Sequence, residues 1–143
     1  LSDERALEGF TFEQVLSRAD TPLGTMTLGS LHPAVSSPPH WEDERSRLAD
    51  QLEQVEGPML IAGDLNATWD NASFRTLLAH GFVDAADQAG SGLQFTWPTN
   101  RSPWPLVGID HALVRDTTLV ARSVDVIRVR GSDHAAVVVR YNG

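Results

Sequence analysis

Apolar and polar positions along the chain change rhythm repeatedly, and those changes divide it into strands and helices. Runs that are wholly apolar, or that alternate with polar residues, predict strands over 10–19, 25–31, 59–62, 109–114, 118–129 and 135–141, with a brief one over 95–97. Thr21-Pro22-Leu23-Gly24 has turn chemistry and predicts a hairpin between the first two. Helical spacing puts Trp41, Leu48, Leu52 and Val55 on one face of a helix over 41–56, which Gly57-Pro58 stops. A second helix is predicted over 73–80, with Phe74, Leu77 and Leu78 inward and Gly81 as its stop. Met59-Leu60-Ile61-Ala62 is apolar throughout, as expected of a strand buried on both faces. Val124, Val126, Ile127 and Val129 alternate only in part, which suggests a half-exposed strand. Ser36-Ser37-Pro38-Pro39 and the Pro- and Trp-rich stretch over 98–105 read as loops. The pattern is mixed α/β, without internal repeats.

At 143 residues the chain has the size of one domain with a real core, assigned here to 1–143. No apolar run approaches the ~20 residues of a membrane-spanning helix. The 19 acidic residues outnumber the 11 basic ones, for a net charge of −8. That balance weighs against a broad, sequence-independent grip on nucleic acid, and a bound cation would offset part of it. There is no cysteine, so disulfides and thiolate zinc sites are excluded while the compartment stays undecided. The sequence opens on Leu-Ser-Asp and shows no secretory leader, so a fragment or processed piece is expected.

Candidate chemistry sits where apolar runs stop. Gly63-Asp64-Leu65-Asn66 follows one such run, Gly131-Ser132-Asp133-His134 precedes another, and Gly108-Ile109-Asp110-His111 lies between. Acid, base and metal-ligand side chains at strand ends are the usual construction of a hydrolytic site. Asp64 and Asn66 are two apart, so a carboxylate and a carboxamide face one spot, where they can hold a water or share an oxygen-ligated Mg²⁺. Gly, Asp and Asn also build plain turns, and Asp133-His134 alone also reads as a capped turn before a strand. One of Asp110 and His111 must face away from any common site. It is the recurrence of such clusters in one small domain that points to a metal-dependent hydrolase.

Other chemistries fit less well. A serine esterase from Ser132, His134 and Asp110 lacks the Gly-x-Ser-x-Gly elbow, and Ser132 is too close to His134. A zinc hydrolase using His32, His111 and His134 has no supporting spacing. His40 reads as a solvated residue at a helix start, and His80 as a partner of a helix C-terminus. His111 is expected near the site without joining it. Asp84 and Asp87 read as caps or solvated groups, and Glu42-Asp43-Glu44 as a helix first turn. Trp97 and Trp104 read equally as a substrate wall or as a cover for the core edge.

The order Gly63-Asp64-Leu65-Asn66, Ile109-Asp110-His111, Ser132-Asp133-His134 resembles the endonuclease/exonuclease/phosphatase superfamily, which contains apurinic endonucleases and deoxyribonuclease I-like enzymes. The likeness covers about the C-terminal half of that domain, over 25–141. It implies a portion of a four-layer α/β/β/α sandwich, with mixed, mostly antiparallel sheets flanked by helices. It also implies hydrolysis of phosphate esters with Mg²⁺ or Mn²⁺. By that resemblance Asp64 orients or deprotonates the attacking water, and Asn66 contacts a phosphate oxygen or positions the water. Asp133 is a metal-site carboxylate, and His134 stabilises or protonates the phosphoryl oxygens. Asp110 hydrogen-bonds that imidazole and raises its pKa, and His32 contacts phosphate.

His32-Pro33, Pro38-Pro39, Trp41, Asn66-Ala67-Thr68, Phe74-Arg75, Gly81-Phe82-Val83-Asp84-Ala85 and Thr96-Trp97-Pro98 are similar to bacterial members tethered to the cytoplasmic membrane. Such members present the catalytic domain outward, so an extracytoplasmic location and a lipid-linked or small phosphate ester are expected, with duplex DNA disfavoured. The family's N-terminal half supplies an asparagine and the glutamate that is the principal metal ligand. Neither segment is found, since no apolar strand leads into Glu4, Glu8 or Glu13. Weak metal binding, little or no turnover and self-association are therefore expected. The competing reading is a non-catalytic interaction module of the same fold.

Overall fold

A computed structural model describes residues 2–34, 41–101 and 105–142. The expected Ser36-Ser37-Pro38-Pro39 loop, His40 and Trp104 lie outside the described residues, as do the side chains of Trp41, Glu42 and Asp43. The elements in chain order are β1 (Ser2–Ala6), β2 (Val15–Thr21), β3 (Gly24–Leu31), α1 (Trp41–Glu53), β4 (Met59–Asp64), α2 (Ala72–Ala79), β5 (Val83–Asp84), α3 (Ala85–Ala89), β6 (Asp110–Arg115), β7 (Val120–Arg128) and β8 (Ala135–Asn142).

The crossover from β3 through α1 to β4 sets the frame. It makes β3 and β4 parallel neighbours, whereas every other pairing in this sheet is antiparallel. The result is a six-stranded sheet in the order β1-β2-β3-β4-β6-β5, beside a separate two-stranded ribbon of β7 and β8. On one face of the sheet Leu16, Leu31, Met59, Ile61 and Leu113 pack with Leu48 and Leu52 of α1 and Phe74 and Leu77 of α2. On the other, Ala62 and Ala112 meet Ala85 of α3 and Ala121, Val124, Val139 and Tyr141 of the ribbon. The small side chains of this second cluster let the ribbon approach closely. Helices, main sheet and ribbon thus form successive layers, as expected of part of an α/β/β/α sandwich.

The expected hairpin is present, with Pro22 and Leu23 between β2 and β3 and the Thr21 hydroxyl donating 2.7 Å to Gly24 O. Other expectations need correction. The first predicted strand begins at Val15, because the preceding residues serve α1 and His32 instead: Thr11 bonds Glu44, and Gln14 bonds the backbone of His32. β1 is wholly polar or small and its described side chains are exposed, so no alternation marks it. Helix α1 ends at Glu53, where the carbonyls of Leu52 and Val55 accept from the buried Arg115 guanidinium. β4 buries Met59 and Ile61 fully but leaves Leu60 and Ala62 half-buried, so one face is covered more completely than the other. Helix α3 was not foreseen; it starts because Asp84 caps the amides of Ala86 and Asp87, and it ends on Gly90 at φ 62°. The brief strand over 95–97 reduces to a single bridge between Trp97 and Val107.

Candidate active site

Strand register assembles the site. In the parallel pair Leu31 lies opposite Gly63, so His32, which follows β3, comes level with Asp64 at the end of β4. In the antiparallel pair β4–β6, Asp64 lies directly opposite Asp110, which puts both carboxylates on one face. His134 arrives from the turn before β8, and its Nδ1 sits 2.9 Å from Asp110 Oδ2. Its Nε2 then faces Asp64 Oδ2 at 3.7 Å, and His32 Nε2 approaches the same oxygen at 3.7 Å. One carboxylate thus stands between two imidazoles, at the ends of the parallel strands where α/β sheets place ligands.

The backbone around Asp64 is built for this approach. Gly63 has φ 148°, and a Cβ there would lie 1.9 Å from Leu31 O. Only glycine permits β3 and β4 to close to that distance. Asn66 adopts φ 49°, a conformation Asn tolerates better than most residues. Its amide N–H donates to Asp64 Oδ1 at 2.8 Å, and its side-chain Nδ2 donates to Pro33 O at 2.9 Å. The second Nδ2 hydrogen remains for a ligand oxygen. From behind, buried Arg45 of α1 donates to Asn66 O at 2.5 Å.

The neighbouring segment fixes the other two clusters. Thr96 is fully buried, and its hydroxyl accepts from the amides of Ile109 and Asp110 at 3.2 and 3.4 Å. Its carbonyl accepts from Ala135 N, the residue after His134. Thr99 bonds the carbonyls of Asp133 and Ser132 through its amide and hydroxyl. Ser132 is a turn cap rather than a nucleophile: its hydroxyl accepts from His134 N at 3.0 Å. Trp97 donates from its indole to Asp133 Oδ2 at 3.2 Å, and its ring lies 6.3 Å from that of His134. Gln14 clamps the backbone of His32 from both sides, and Phe12 stacks on the His32 ring at 4.6 Å.

Charge is distributed accordingly. Burial pushes the Asp64 carboxyl above its ordinary value; Asp110 adds to this, while the Asn66 amide, His134 and His32 pull against it. Burial alone would disfavour a charged His134, but its hydrogen bond to Asp110 and the charges of Asp110, Asp64 and Asp133 outweigh that and raise its pKa. Burial lowers the pKa of Arg45, and the charge of Asp64 opposes the change.

Among the described residues, Asp64, Asp110 and His134 present ligand atoms that lie within 4.8 Å of one another, a group able to hold a metal ion. The set is half-buried and rich in carboxylate oxygen, which suits a hard divalent cation. Of the residues singled out in the sequence, the structure brings together Asp64, Asn66, Asp110, His134 and His32. Asp133 is adjacent but not in the donor group, its carboxylate being held by Trp97. His111 stays outside, as expected, bonded to Asp84 at 3.2 Å and Ala67 O at 2.9 Å and packed on Phe74. Asp84 is indeed a cap, and His80 closes α2 with its ring 3.8 Å from Glu53. Arg45, Thr96 and Gln14 have no motif that marks them, although Gln14 takes an apolar place in the alternation of Phe10, Phe12 and Leu16.

The model of the Endonuclease/Exonuclease/phosphatase family matches residues 5–134. No curated protein sequence matches the chain. Among solved structures, an endonuclease/exonuclease/phosphatase family protein from Leptotrichia buccalis is similar at 18% identity and TM-score 0.71, over 92% of this chain and 54% of that one. A 3′ phosphatase from Neisseria, bound to product DNA hairpin, is similar at 19% identity and TM-score 0.69, over 90% and 65%. A mannosyl-6-phosphatase from Bacteroides thetaiotaomicron is similar at 16% identity and TM-score 0.65, over 94% and 59%. These likenesses show a shared fold, and the chain spans 54 to 65% of the length of those three proteins.

Proposed function

The chain belongs to the endonuclease/exonuclease/phosphatase family, and on that premise we propose that residues 1–143 carry the acid/base side of a divalent-metal-dependent phosphoesterase. The observation that carries this is the convergence of Asp64, Asp110 and His134 with His32 and Asn66, at the ends of the neighbouring strands β3, β4 and β6 and in the turn before β8.

In-line attack at phosphorus builds negative charge on the phosphoryl oxygens while a water loses a proton. Asp64 takes that proton. Burial raises its pKa, which makes it a stronger base than an exposed carboxylate, and the Asn66 amide fixes one of its oxygens. Asp110 holds Nδ1 of His134, so the Nε2–H is aimed into the site as a charged donor to a phosphoryl oxygen. The free Nδ2 hydrogen of Asn66 and the exposed ring of His32 supply further donors. Mg²⁺ or Mn²⁺ would be held by the carboxylates of Asp64 and Asp110, with Asp133 as an adjacent carboxylate and His134 left as the proton donor, and would supply Lewis-acid neutralisation of the phosphate.

The named relatives include a 3′ phosphatase bound to product DNA hairpin and a mannosyl-6-phosphatase, so a phosphomonoester or diester is the proposed substrate. The test is hydrolysis of p-nitrophenyl phosphate and bis-p-nitrophenyl phosphate with Mg²⁺, Mn²⁺ or chelator. Both residues 1–143 and the same stretch within a chain extended to the length of the solved relatives are assayed. Metal-dependent turnover in either supports the enzyme. Turnover only in the longer chain means that this stretch supplies half of the site. None in either favours the interaction module.

A further inference from the structure

Beside the catalytic cluster lies a polar cleft of about 590 Å³ whose walls include Arg128, Arg130, Thr99, Asn100, Ser132 and Asp133. It opens at the β7–β8 turn, where Gly131 has φ 86° and a Cβ would meet nothing within 4 Å. Most of the other arginines for which contacts are seen serve the fold. Arg45 bonds Asn66 O, Arg115 bonds the end of α1, Arg47 bonds Gly9 O, and Arg140 pairs with Asp125. The guanidinium groups of Arg128 and Arg130, by contrast, make no hydrogen bond or ion pair among the described residues. They are two residues apart and line the same cleft.

The one carboxylate in that cleft, Asp133, already accepts from the Trp97 indole. Two guanidinium groups against one carboxylate leave the cleft positive, on a chain whose net charge is −8. A planar guanidinium matches the oxygens of a phosphate bidentately, and two of them form a dianion receptor. The cleft is also contiguous with the chemistry. Asp133 lines it and the next residue, His134, belongs to the cluster, a step of ~3.8 Å along the backbone.

We propose that Arg128 and Arg130 form a subsite for a second phosphate of the substrate, next to the phosphoryl group being cleaved. The preferred substrate is then one carrying two phosphates, a deepening that rests on the phosphoesterase reading above. The Thr99 contacts to Ser132 and Asp133 tie this subsite to the loop that presents His134, so its geometry relative to the scissile phosphate is fixed.

Hydrolysis of the dinucleotide TpT is compared with that of the same dinucleotide bearing a terminal phosphate, in wild type, Arg128→Gln/Arg130→Gln and Arg122→Gln. Arg122 is exposed on β7, outside the cleft. The terminal phosphate is expected to lower KM about tenfold in wild type and in Arg122→Gln, and to give no advantage in the double variant. No advantage in wild type, or an advantage retained by the double variant, overturns the subsite. If neither dinucleotide is cleaved, by residues 1–143 or by the chain extended to the length of the solved relatives, the phosphoesterase reading fails for them, and calorimetry with inorganic pyrophosphate decides the subsite. Binding that the double variant loses and Asp64→Asn keeps supports it. No binding, or equal binding in the double variant, overturns it.

Discussion

His134 concentrates the electrostatics of the site in one side chain, with Asp110 on Nδ1 and Asp64 beyond Nε2. Its raised pKa keeps the imidazolium populated into the neutral range, and that population falls as pH rises through the raised value. Asp64, whose pKa is also raised, becomes an ionised base at higher pH than an exposed carboxylate would. The expected kcat/KM profile is a bell, and Asp110→Asn should move its alkaline limb to lower pH; an unmoved limb would show that another group titrates there. Arg45 acts through the backbone of Asn66, so Arg45→Met should cut kcat by about 100-fold through misplacement of the loop, with Arg45→Lys recovering part of it. Steady-state kinetics of both variants, with melting temperatures to confirm folding, check this. Asp64, Asn66, Asp110 and His134 were legible in the sequence because each belongs to a short motif beside an apolar run. Arg45, Thr96 and Gln14 were not, because their roles are bonds to residues 12 or more positions away that only the tertiary fold brings close.

At the scale of elements, the buried strands and the helices with an apolar stripe could be read directly, since burial imposes their period. β1, β5 and α3 could not. β1 is an exposed edge, β5 spans 2 residues, and α3 spans 5 residues and depends on one cap. Helix α1 shows how a first-turn acid can do more than meet a helix dipole. Glu44 is buried and accepts from Thr11 N, Thr11 Oγ1 and Ala34 N, tying the segments before β2 and after β3 to the helix. Burial works against its ionised form, but those bonds and Arg47 prevail and lower its pKa. A carboxyl depressed in the folded state stabilises it above the ordinary carboxylate value, and the contribution disappears as pH falls through the lowered one. Glu44→Gln should therefore cost about 1–3 kcal/mol at pH 7 and flatten the acid side of the stability curve. Urea unfolding at pH 7 and pH 3 checks both; a variant as stable as wild type at pH 7 would contradict this role.

Across the whole molecule, the main sheet is well covered by α1 and α2 while the β7–β8 ribbon is not. Val126, Ile127 and Val129 are 37, 50 and 45% exposed. A two-stranded ribbon is marginal without further pairing or packing, and this one rests on the sheet through Val124, Val139 and Tyr141. Concentration-dependent self-association of residues 1–143 is expected, reduced by Ile127→Lys; sedimentation that stays monomeric at high concentration would argue against it.

The most direct measurement is the rate of bis-p-nitrophenyl phosphate hydrolysis with Mg²⁺ or Mn²⁺ by wild type and Asp64→Asn side by side, each in a chain extended to the length of the solved relatives. Asp64 is the residue on which both imidazoles and the Asn66 amide converge. Metal-dependent turnover in wild type, falling at least about 100-fold in a variant with an unchanged melting temperature, is the predicted result. Turnover that survives chelation, or that is equal in the two proteins, would contradict a phosphoesterase site centred on Asp64.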